Sequence, residues 1–566
     1  MTTSSADPRR RRLCTGRLGA RDNSITLDAD VRVHRRDGTA LSADVYRPSG
    51  PGRHPVLVMR TPYDKRVAQS YWYAPPTWYA AQGFAVVVED VRGRHRSDGE
   101  FVPLDNERDD GVDLVRWVVD QPWSDGWVGM YGYSYGGLLQ LLTAGADGEV
   151  PIAAVVPALA PPGLGEGCLR TGGVAAASFT TTWAVQLDAL RISRALREPS
   201  ADRLTAQSLR WLVQNVPLDR LLDGATSASA AGWLREWLTV GSDSEYWRRP
   251  SHRVAYGNIK APVLHVGGLY DTFRTGTFGH YTSLAEARPD HSANRLFVGP
   301  WTHHPLRASA PGLSAGTPPS IDDVQLEFFR TVREGGVPAR PAVSVTILNS
   351  GDTWTAQSWP PADGVRHRWH LSSGGRANTA TGDGILTEDP PPPAPPDHLV
   401  YDHGDPVPAA GGDDCGDPLL AGMGAADQCA PERRNDVLVY TSRPAAAERT
   451  FVGEANVEFF AVTDTRHSQW LVRLCLVNQA GRSVNLVEQV TRHRGERPGE
   501  PTRVAIALGP AGFRIHPGER LRLHVTQGAS PRWSPLRDRD GRPAVTRSLV
   551  LHDPDHPSAL ELTRVP

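Results

Sequence analysis

The sequence predicts an α/β chain built in three parts: a core with a mostly parallel sheet, a helical cap inserted into that core, and a C-terminal all-β domain of jelly-roll type. Three observations lead to this fold class. Within the first 160 residues, apolar runs of strand length alternate with amphipathic helical segments, which is typical of a parallel sheet covered by helices. Residues 162–250 have helical periodicity and few strand-like runs. After residue 335, short alternating segments replace the helices.

These changes of pattern set the boundaries of the predicted domains. Residues 1–22 are polar and basic, and we expect them to form a disordered tail. The core is assigned to residues 23–161 and 251–335, the helical cap to residues 162–250, and the jelly-roll β-sandwich to residues 336–566.

The core strands are expected to be continuous apolar runs, because strands with helices on both faces of the sheet are buried on both sides. Between them, the valines of Asn106–Gln121 recur at helical spacing, and Pro122 ends that helix. The runs interpreted as core strands are Pro55–Arg60, Ala85–Val88, Trp127–Tyr133, Val150–Val156, Pro262–Gly267 and Arg295–Val298. Since these strands lie on both sides of the helical segment, the cap is predicted to be an insertion.

The strongest local motif is G-x-S-x-G, centred on Ser134 between a predicted strand and a predicted helix. A serine at such a sharp turn has a strained backbone that projects its hydroxyl into a cleft, and small residues at Gly132 and Gly136 let the strand and the helix approach closely. This context predicts an α/β-hydrolase core with Ser134 as its nucleophile. The alternative is a glycine-rich turn whose serine merely caps the helix.

A serine hydroxyl is a weak nucleophile, so a histidine must take its proton and a carboxylate should orient that histidine. In this fold the acid and the histidine follow the serine along the chain, in that order. Asp271 and His303 each come shortly after a predicted strand, so we assign them as acid and base. A turn-forming role is the alternative for Asp271, and His304 is the competing base. His265 falls inside a strand and is expected to be packed.

Two donors are candidates for stabilising the oxyanion. The backbone N–H of Tyr135 directly follows the nucleophile at the start of a helix, where developing negative charge is favoured. Tyr63 follows the strand Pro55–Arg60, and its hydroxyl is a possible second donor. From the residues alone, a packed loop tyrosine is the more common role for such a position.

The chain also resembles the CocE/NonD hydrolases, which include cocaine esterase and α-amino-acid ester hydrolases and are related to X-Pro dipeptidyl-peptidases. The similarity extends over roughly residues 25–566 and is weakest in the cap. The matching segments include LSADVYRP, RTPYDK, VVVEDVRGRHRSDGEF, WVVDQPWSDGWVGMYGYSYGG, APVLHVGGLYD, GPWTHH and HPGERLRLHVTQGASPRW.

The resemblance implies the same architecture and the same site. It places Ser134 at the nucleophile, Asp271 at the acid and His303 at the base, and it places Tyr63 at the tyrosine that joins the Tyr135 N–H in the oxyanion hole. It implies no cofactor. One departure is the helical segment Val324–Val332 (VQLEFFRTV), where the family often has a W-F-D-x-W-L-like helix with aromatic anchors, so this helix is expected to pack differently. A second is that the cap shows no carboxylate cluster for holding a substrate ammonium group.

Two aromatic residues are candidates for the substrate pocket. Phe273 lies two residues after Asp271, and Trp183 lies in the first predicted cap helix. Core packing is the alternative for Trp183. We therefore predict a serine hydrolase that cleaves carboxylic esters through an acyl-enzyme. The alternatives are an acyltransferase or an X-Pro or aminoacyl amide hydrolase in natural-product metabolism, and a non-catalytic binding protein on a degenerate hydrolase core.

Composition excludes several other classes. The chain has 61 basic and 63 acidic residues, a net charge of −2, so the basic excess of a nucleic-acid-binding protein is missing. It contains neither an apolar run of membrane-spanning length nor a signal-peptide core, so a cytoplasmic enzyme acting on a small molecule is expected. Its five cysteines show no metal-binding spacing. Pairing of Cys415 with Cys429 and assembly into a homo-oligomer are both left open.

Overall fold

The computed structural model describes residues 25–66, 73–196, 240, 244–290, 293–304, 313–314, 316–336, 340–413, 415, 422–538 and 540–566. The predicted tail and most of the predicted cap lie outside these ranges. None of the helices within them combines the length and the apolarity that crossing a membrane requires.

The N-terminal half is organised around a ten-stranded sheet, while β7 and β8 form a separate two-stranded hairpin. In chain order the strands are β1 (Ile25–His34), β2 (Ala40–Pro48), β3 (His54–Thr61), β4 (Ala85–Asp90), β5 (Ser124–Tyr133), β6 (Ala154–Ala158), β7 (Arg170–Thr171), β8 (Val174–Ala175), β9 (Val263–Tyr270), β10 (Asn294–Thr302), β11 (Val343–Thr346) and β12 (Thr353–Ala356).

The spatial order of the large sheet is β1-β2-β4-β3-β5-β6-β9-β10-β11-β12. Strands β4, β3, β5, β6, β9, β10 and β11 run parallel to their neighbours, whereas β1, β2 and β12 are antiparallel additions at the two edges. All six residues of β4 and all eight of β9 are buried, as the continuous apolar runs predict. The predicted α/β core is therefore confirmed.

Six helices lie in the described part of the chain before the C-terminal domain. The last of them is capped by Ser320, whose hydroxyl accepts a hydrogen bond from the Asp322 N–H at 3.2 Å. This helix carries acidic residues in its first turn and arginines in its last turn, as the helix dipole favours. The helices are α1 (Pro76–Ala81), α2 (Glu107–Val119), α3 (Tyr135–Ala144), α4 (Ala177–Leu196), α5 (Arg274–Ala287) and α6 (Ile321–Arg333).

The parallel strands determine where functional side chains can meet. Strands β3, β5, β9 and β10 all end at the same edge of the sheet, and ligands of open α/β sheets bind outside the carboxyl ends of the strands. The residues that follow these four ends are Tyr63, Ser134, Asp271 and His303. Sheet topology therefore brings together four residues that span 240 positions of the sequence.

The C-terminal part forms a second, eleven-stranded sheet, which confirms the predicted all-β domain; its jelly-roll topology stays a prediction. Its order is β15-β22-β17-β23-β13-β14-β16-β21-β18-β19, and β20 pairs with β17. The strands are β13 (Val365–Ser372), β14 (Ile385–Thr387), β15 (Asp397–Asp402), β16 (Leu438–Ser442), β17 (Arg449–Thr463), β18 (His467–Val477), β19 (Ser483–Arg494), β20 (Thr502–Ile515), β21 (Arg520–Thr526), β22 (Val545–Leu551) and β23 (Ala559–Val565).

The first sheet continues beyond residue 335, where the sequence analysis placed the start of the β domain. Strand β11 pairs in parallel with β10 through Leu296–Val298, and β12 pairs with β11. Backbone hydrogen bonds of 2.9 Å then join Leu348 to Gly512 and Arg514 in β20. The predicted boundary at residue 335/336 therefore falls before two strands that belong to the first sheet. The sequence does not show this, because a short alternating segment looks the same in either sheet.

Candidate active site

Ser134 occupies the turn between β5 and α3 in a strained backbone conformation. Its φ is 58° and its ψ is −128°, a region that residues with a side chain seldom adopt. Hydrogen bonds hold it there: the Ser134 N–H donates to the carbonyl of Ala158 at 2.8 Å, and its own carbonyl accepts from Gly137 at 2.9 Å and Leu138 at 3.1 Å. The turn thus presents the serine side chain at the carboxyl edge of the sheet.

The glycines on either side of this turn permit its close packing. Gly132 has a φ of 148°, which is accessible to glycine but not to residues with a Cβ atom. A Cβ atom on Gly136 would lie 2.9 Å from the carbonyl oxygen of Arg60 in β3. The spacing of the motif is therefore explained by the contact of α3 with the neighbouring strand.

Asp271, His303 and Ser134 form a continuous hydrogen-bonded chain. The imidazole Nδ1 of His303 lies 2.6 Å from Asp271 Oδ1, and its Nε2 lies 2.9 Å from Ser134 Oγ. All three residues are buried, with exposed fractions of 0%, 7% and 8% in that order. Because the carboxylate can only accept, Nδ1 carries a proton in this arrangement, which leaves Nε2 free to accept the serine proton.

The other histidines considered from the sequence lie elsewhere. The ring of His304 packs against that of His303, with centroids 6.0 Å apart, and the bond to Ser134 comes from His303. His265 is buried within β9 and stacks on His280 at 6.5 Å. His280 accepts or donates hydrogen bonds at both ring nitrogens, and burial lowers its pKa to about 4. Both are packed residues.

The loop that carries Asp271 is braced by the C-terminal domain. The Thr272 hydroxyl donates a hydrogen bond to the backbone carbonyl of Asp413. The guanidinium of Arg274 is buried, and its Nη2 donates to the carbonyl of Leu508 in β20 at 3.0 Å. The β domain therefore contributes to the position of the candidate acid, although it supplies no member of the hydrogen-bonded chain.

Tyr63 and Trp183 contact each other. The indole Nε1–H of Trp183 donates to the Tyr63 hydroxyl at 3.0 Å. Among the described residues, the Tyr63 hydroxyl forms this one hydrogen bond, and its oxygen is the acceptor. The hydroxyl proton is therefore available to donate to a ligand. Burial raises the pKa of Tyr63, although the bond from Trp183 opposes the shift, and the phenol is therefore protonated at neutral pH.

The backbone N–H of Tyr135 is the other predicted oxyanion donor. Tyr135 is the first residue of α3, and the first N–H groups of a helix have no acceptor within the helix. The positive end of the helix dipole lies at the same point. This amide therefore has the local chemistry that a developing oxyanion requires.

An aromatic wall, which we define as Tyr133, Phe179, Trp183 and Phe273, extends from the imidazole of His303. Phe273 packs edge-on against His303 at 5.0 Å, and Tyr133 lies 6.1 Å from the same ring. Phe179 meets Phe273 at 5.7 Å and stacks on Trp183 at 5.8 Å. The structure thus brings the two predicted pocket residues into one cluster with the site.

Sequence reasoning missed Tyr133 and Phe179. A signal for Phe179 was present, because it precedes Trp183 by four residues and such pairs share one face of a helix. Tyr133 is a variable position of the G-x-S-x-G motif, and the motif carries no information about its contacts.

A cavity of about 450 Å³ adjoins this wall, and Phe179 and Thr272 line it. Its charged lining includes Asp413 and Arg532, which form an ion pair, and Arg532 also pairs with Glu488. Cavities that hold small molecules span roughly 300–1,000 Å³. Its volume is therefore in the range for a ligand, and the Asp413 carboxylate is neutralised by a neighbouring guanidinium.

Metal-binding and disulfide chemistry are not features of the described residues. Within those ranges no three His, Cys, Asp or Glu side chains are grouped as metal ligands. Cys429 is a free thiol, so the alternative in which it pairs with Cys415 is not formed.

Comparisons with known families and sequences match almost the whole chain. Residues 37–305 match the model of the X-Pro dipeptidyl-peptidase (S15 family), and residues 336–561 match the X-Pro dipeptidyl-peptidase C-terminal non-catalytic domain. Cocaine esterase from Rhodococcus sp. (strain MB1 Bresler) is 28% identical over 577 residues, an alignment that covers 96% of this chain and 99% of that protein.

Solved structures share the fold across its full length. An aminopeptidase from a marine sediment Thaumarchaeota archaeon superposes with a TM-score of 0.77 at 19% identity, covering 98% of each chain. An α-amino acid ester hydrolase superposes with a TM-score of 0.73 at 19% identity, covering 100% of each chain. The two-part architecture of this chain therefore occurs in other proteins.

We predict that Gly136→Ala destabilises the turn. The added methyl group would meet the Arg60 carbonyl at 2.9 Å, and overpacking of this kind costs about 1–3 kcal/mol. Urea unfolding would measure the loss. Gly279→Ala in α5 is the matched control, because no atom lies within 4 Å of its new Cβ and alanine favours a helix by about 1 kcal/mol. Equal unfolding midpoints for Gly136→Ala and the wild type would contradict the packing argument.

Proposed function

We propose that the chain, which matches the X-Pro dipeptidyl-peptidase (S15 family) model and is similar to cocaine esterase, is a serine hydrolase of the CocE/NonD type. We propose that it hydrolyses carboxylic esters through an acyl-enzyme on Ser134. The observation that carries this proposal is the buried hydrogen-bonded chain Asp271–His303–Ser134, with lengths of 2.6 and 2.9 Å. Nucleophile, base and orienting acid are the set that acyl transfer requires.

The first step forms the acyl-enzyme. His303 Nε2 takes the proton of Ser134 Oγ while that oxygen attacks the ester carbonyl carbon, and the carbonyl electron pair moves onto its oxygen. The Tyr135 N–H and the Tyr63 O–H donate hydrogen bonds to this oxyanion, and Asp271 stabilises the imidazolium. The intermediate then collapses, the bond to the leaving alkoxide breaks, and His303 returns the proton to that oxygen.

The second step repeats the chemistry with water. His303 deprotonates a water molecule that attacks the acyl carbon, the same donors hold the second oxyanion, and the proton finally returns to Ser134 as the carboxylic acid leaves. An alcohol or amine in place of water would make the enzyme an acyltransferase, because the chemical steps are otherwise identical.

We propose that the acyl group is uncharged and preferably aromatic. The aromatic wall adjoins the imidazole, so an apolar acyl group bound there would lie beside the reacting carbon. An aminoacyl group would need unpaired carboxylates near its ammonium. Two carboxylates line the adjoining cavity: Asp413 is paired with Arg532, and Glu166 accepts a hydrogen bond from the Gly172 N–H and interacts with Arg170. Burying an ammonium without such a partner is costly.

The second candidate function is cleavage of X-Pro amides, which the family description favours. A non-catalytic binding role is not supported by any specific observation. The expected partner is a small-molecule ester or amide. A cytoplasmic location and a homo-oligomeric state stay predictions from the sequence.

Ser134→Ala should abolish ester hydrolysis, because it removes the attacking oxygen. Turnover of 4-nitrophenyl esters measures this loss, and a fluorophosphonate probe should label the wild type once per chain at Ser134. Preserved far-UV circular dichroism would show that the variant is folded. Substantial activity in the folded variant, or labelling at another residue, would refute the assignment.

Tyr63→Phe should lower kcat by on the order of 10²-fold, the typical effect of losing one oxyanion donor, with a smaller change in KM. The substitution removes only the hydroxyl and keeps the ring. Steady-state kinetics with a single ester measure both constants. If kcat stayed within a factor of two of the wild type, Tyr63 would not be an oxyanion donor.

Phe179→Ala should reduce kcat/KM for 4-nitrophenyl benzoate by about 10-fold or more, because truncating a buried aromatic contact costs at least about 1.4 kcal/mol. The same variant should retain most of its activity on 4-nitrophenyl acetate, which serves as an internal control because its acetyl group lacks the aromatic ring that would contact Phe179. Xaa-Pro 4-nitroanilides test the second candidate. Higher kcat/KM for these amides than for benzoyl esters would favour the peptidase function.

A further inference from the structure

The side chain of Tyr135 leads away from the proposed oxyanion hole into a buried polar network. Its ring is 2% exposed, and its hydroxyl donates to Glu107 Oε1 at 2.9 Å and accepts from the Leu104 N–H at 2.9 Å. The residue whose backbone N–H is a proposed oxyanion donor is therefore held at both ends. Its amide begins α3, and its phenol is fixed to the first residue of α2.

Glu107 is in turn fixed by Arg60 of β3. The second carboxylate oxygen, Oε2, lies 3.0 Å from Arg60 Nη2, and Arg60 Nη1 donates to the Glu107 carbonyl at 2.7 Å. Arg60 Nε donates to Glu89 Oε1 at 3.0 Å. The Arg60 side chain is wholly buried, so these contacts are not weakened by solvent.

Arg60 also connects to the other oxyanion donor. It lies near the carboxyl end of β3, three residues before Tyr63, which follows that strand. Its backbone carbonyl is the atom that a Cβ on Gly136 would meet, so it directly contacts the turn that carries Ser134. A single buried arginine is thus joined to both donor segments, one through the backbone of β3 and the other through Glu107.

We propose that Arg60, Glu107 and Tyr135 form a positioning network that sets the separation of the two oxyanion donors, which makes the Glu107 carboxylate and the Tyr135 phenol positioning residues for ester hydrolysis. This inference rests on the proposed function. An oxyanion hole is effective only when its donors are preorganised about 2.7–3.1 Å from the oxyanion. The network connects both donor segments to the buried side chain of Arg60, and this shared attachment fixes the distance between the two donors.

The free-energy cost of burying the charges of Arg60 and Glu107 favours a role for this network beyond stabilising the fold. Buried ion pairs often stabilise a fold no better than apolar residues of similar size, because each charge loses its hydration. Desolvation raises the pKa of Glu107 to about 7, although Arg60 opposes the shift. A phenol proton that needed only an acceptor could be satisfied by an uncharged carbonyl or amide oxygen, without a buried carboxylate.

The test uses the full-length enzyme with Tyr135→Phe, Glu107→Leu and Glu107→Gln. Tyr135→Phe and Glu107→Leu should each lower kcat about 10-fold, less than the loss of a whole donor, while KM for 4-nitrophenyl benzoate changes less than about twofold. Phenylboronic acid, which forms a tetrahedral adduct, should bind more weakly by a similar factor, whereas the product benzoate should bind as before. Glu107→Gln keeps an acceptor for the phenol and should restore most of the lost rate.

A control variant and an active-site titration separate the possible outcomes. Asp113 lies on the same helix as Glu107 and pairs at 2.7 Å with Arg36, whose guanidinium is half-exposed. Asp113→Asn weakens this pair and should leave kcat unchanged. Titration with a fluorophosphonate gives kcat per active site, so a partly unfolded variant is still informative. Unchanged kcat and boronate affinity alongside a lower Tm would overturn the proposal and leave the network a purely structural feature. Failure of Ser134→Ala to abolish turnover would instead refute the proposed function.

Discussion

An imidazole can deprotonate a hydroxyl only within hydrogen-bond reach, and the 2.9 Å contact of His303 Nε2 with Ser134 Oγ is the contact on which the rest of the site depends. The two residues follow strands that are separated by β6 and β9 in the sheet. The contact therefore requires both a sharp turn that raises the serine and a loop that reaches back across two strands. The strained φ of 58° at Ser134 is stabilised by the surrounding hydrogen bonds rather than by the residue itself.

Polar groups buried beneath and beside this contact make the site rigid. On one side, Arg60 links β3 to α2 and, through Glu107, to the first residue after the proposed nucleophile. On the other side, Thr272 and Arg274 tie the loop of the proposed acid to the C-terminal domain. The β domain, which matches the X-Pro dipeptidyl-peptidase C-terminal non-catalytic domain, therefore braces the loop of the proposed acid, while the proposed reacting groups all lie in the core. The aromatic wall completes the site on the side of the cap helix α4.

Much of the core could be predicted because the information is local. Buried strands and amphipathic helices have periodicities that a sequence displays directly, and the G-x-S-x-G turn needs small residues at two fixed offsets for steric reasons visible at Gly132 and Gly136. The β11 and β12 segments lie within the predicted β domain but pair with the core sheet, and the sequence does not reveal this because alternating patterns look the same in either sheet. Phe179 was overlooked because its helical spacing from Trp183 does not state which face points to the site.

Local sequence alone specifies the fold class, the turn that presents Ser134 and the set of residue types needed for acyl transfer, because each of these depends on neighbours within a few positions. Tertiary structure alone decided that His303 rather than the adjacent His304 bonds to Ser134, that Phe179 and Tyr133 join the aromatic wall, and that one buried arginine couples Tyr63 to Tyr135. Those features are distances between residues far apart in the chain, and such distances exist only after the strands have been ordered into a sheet.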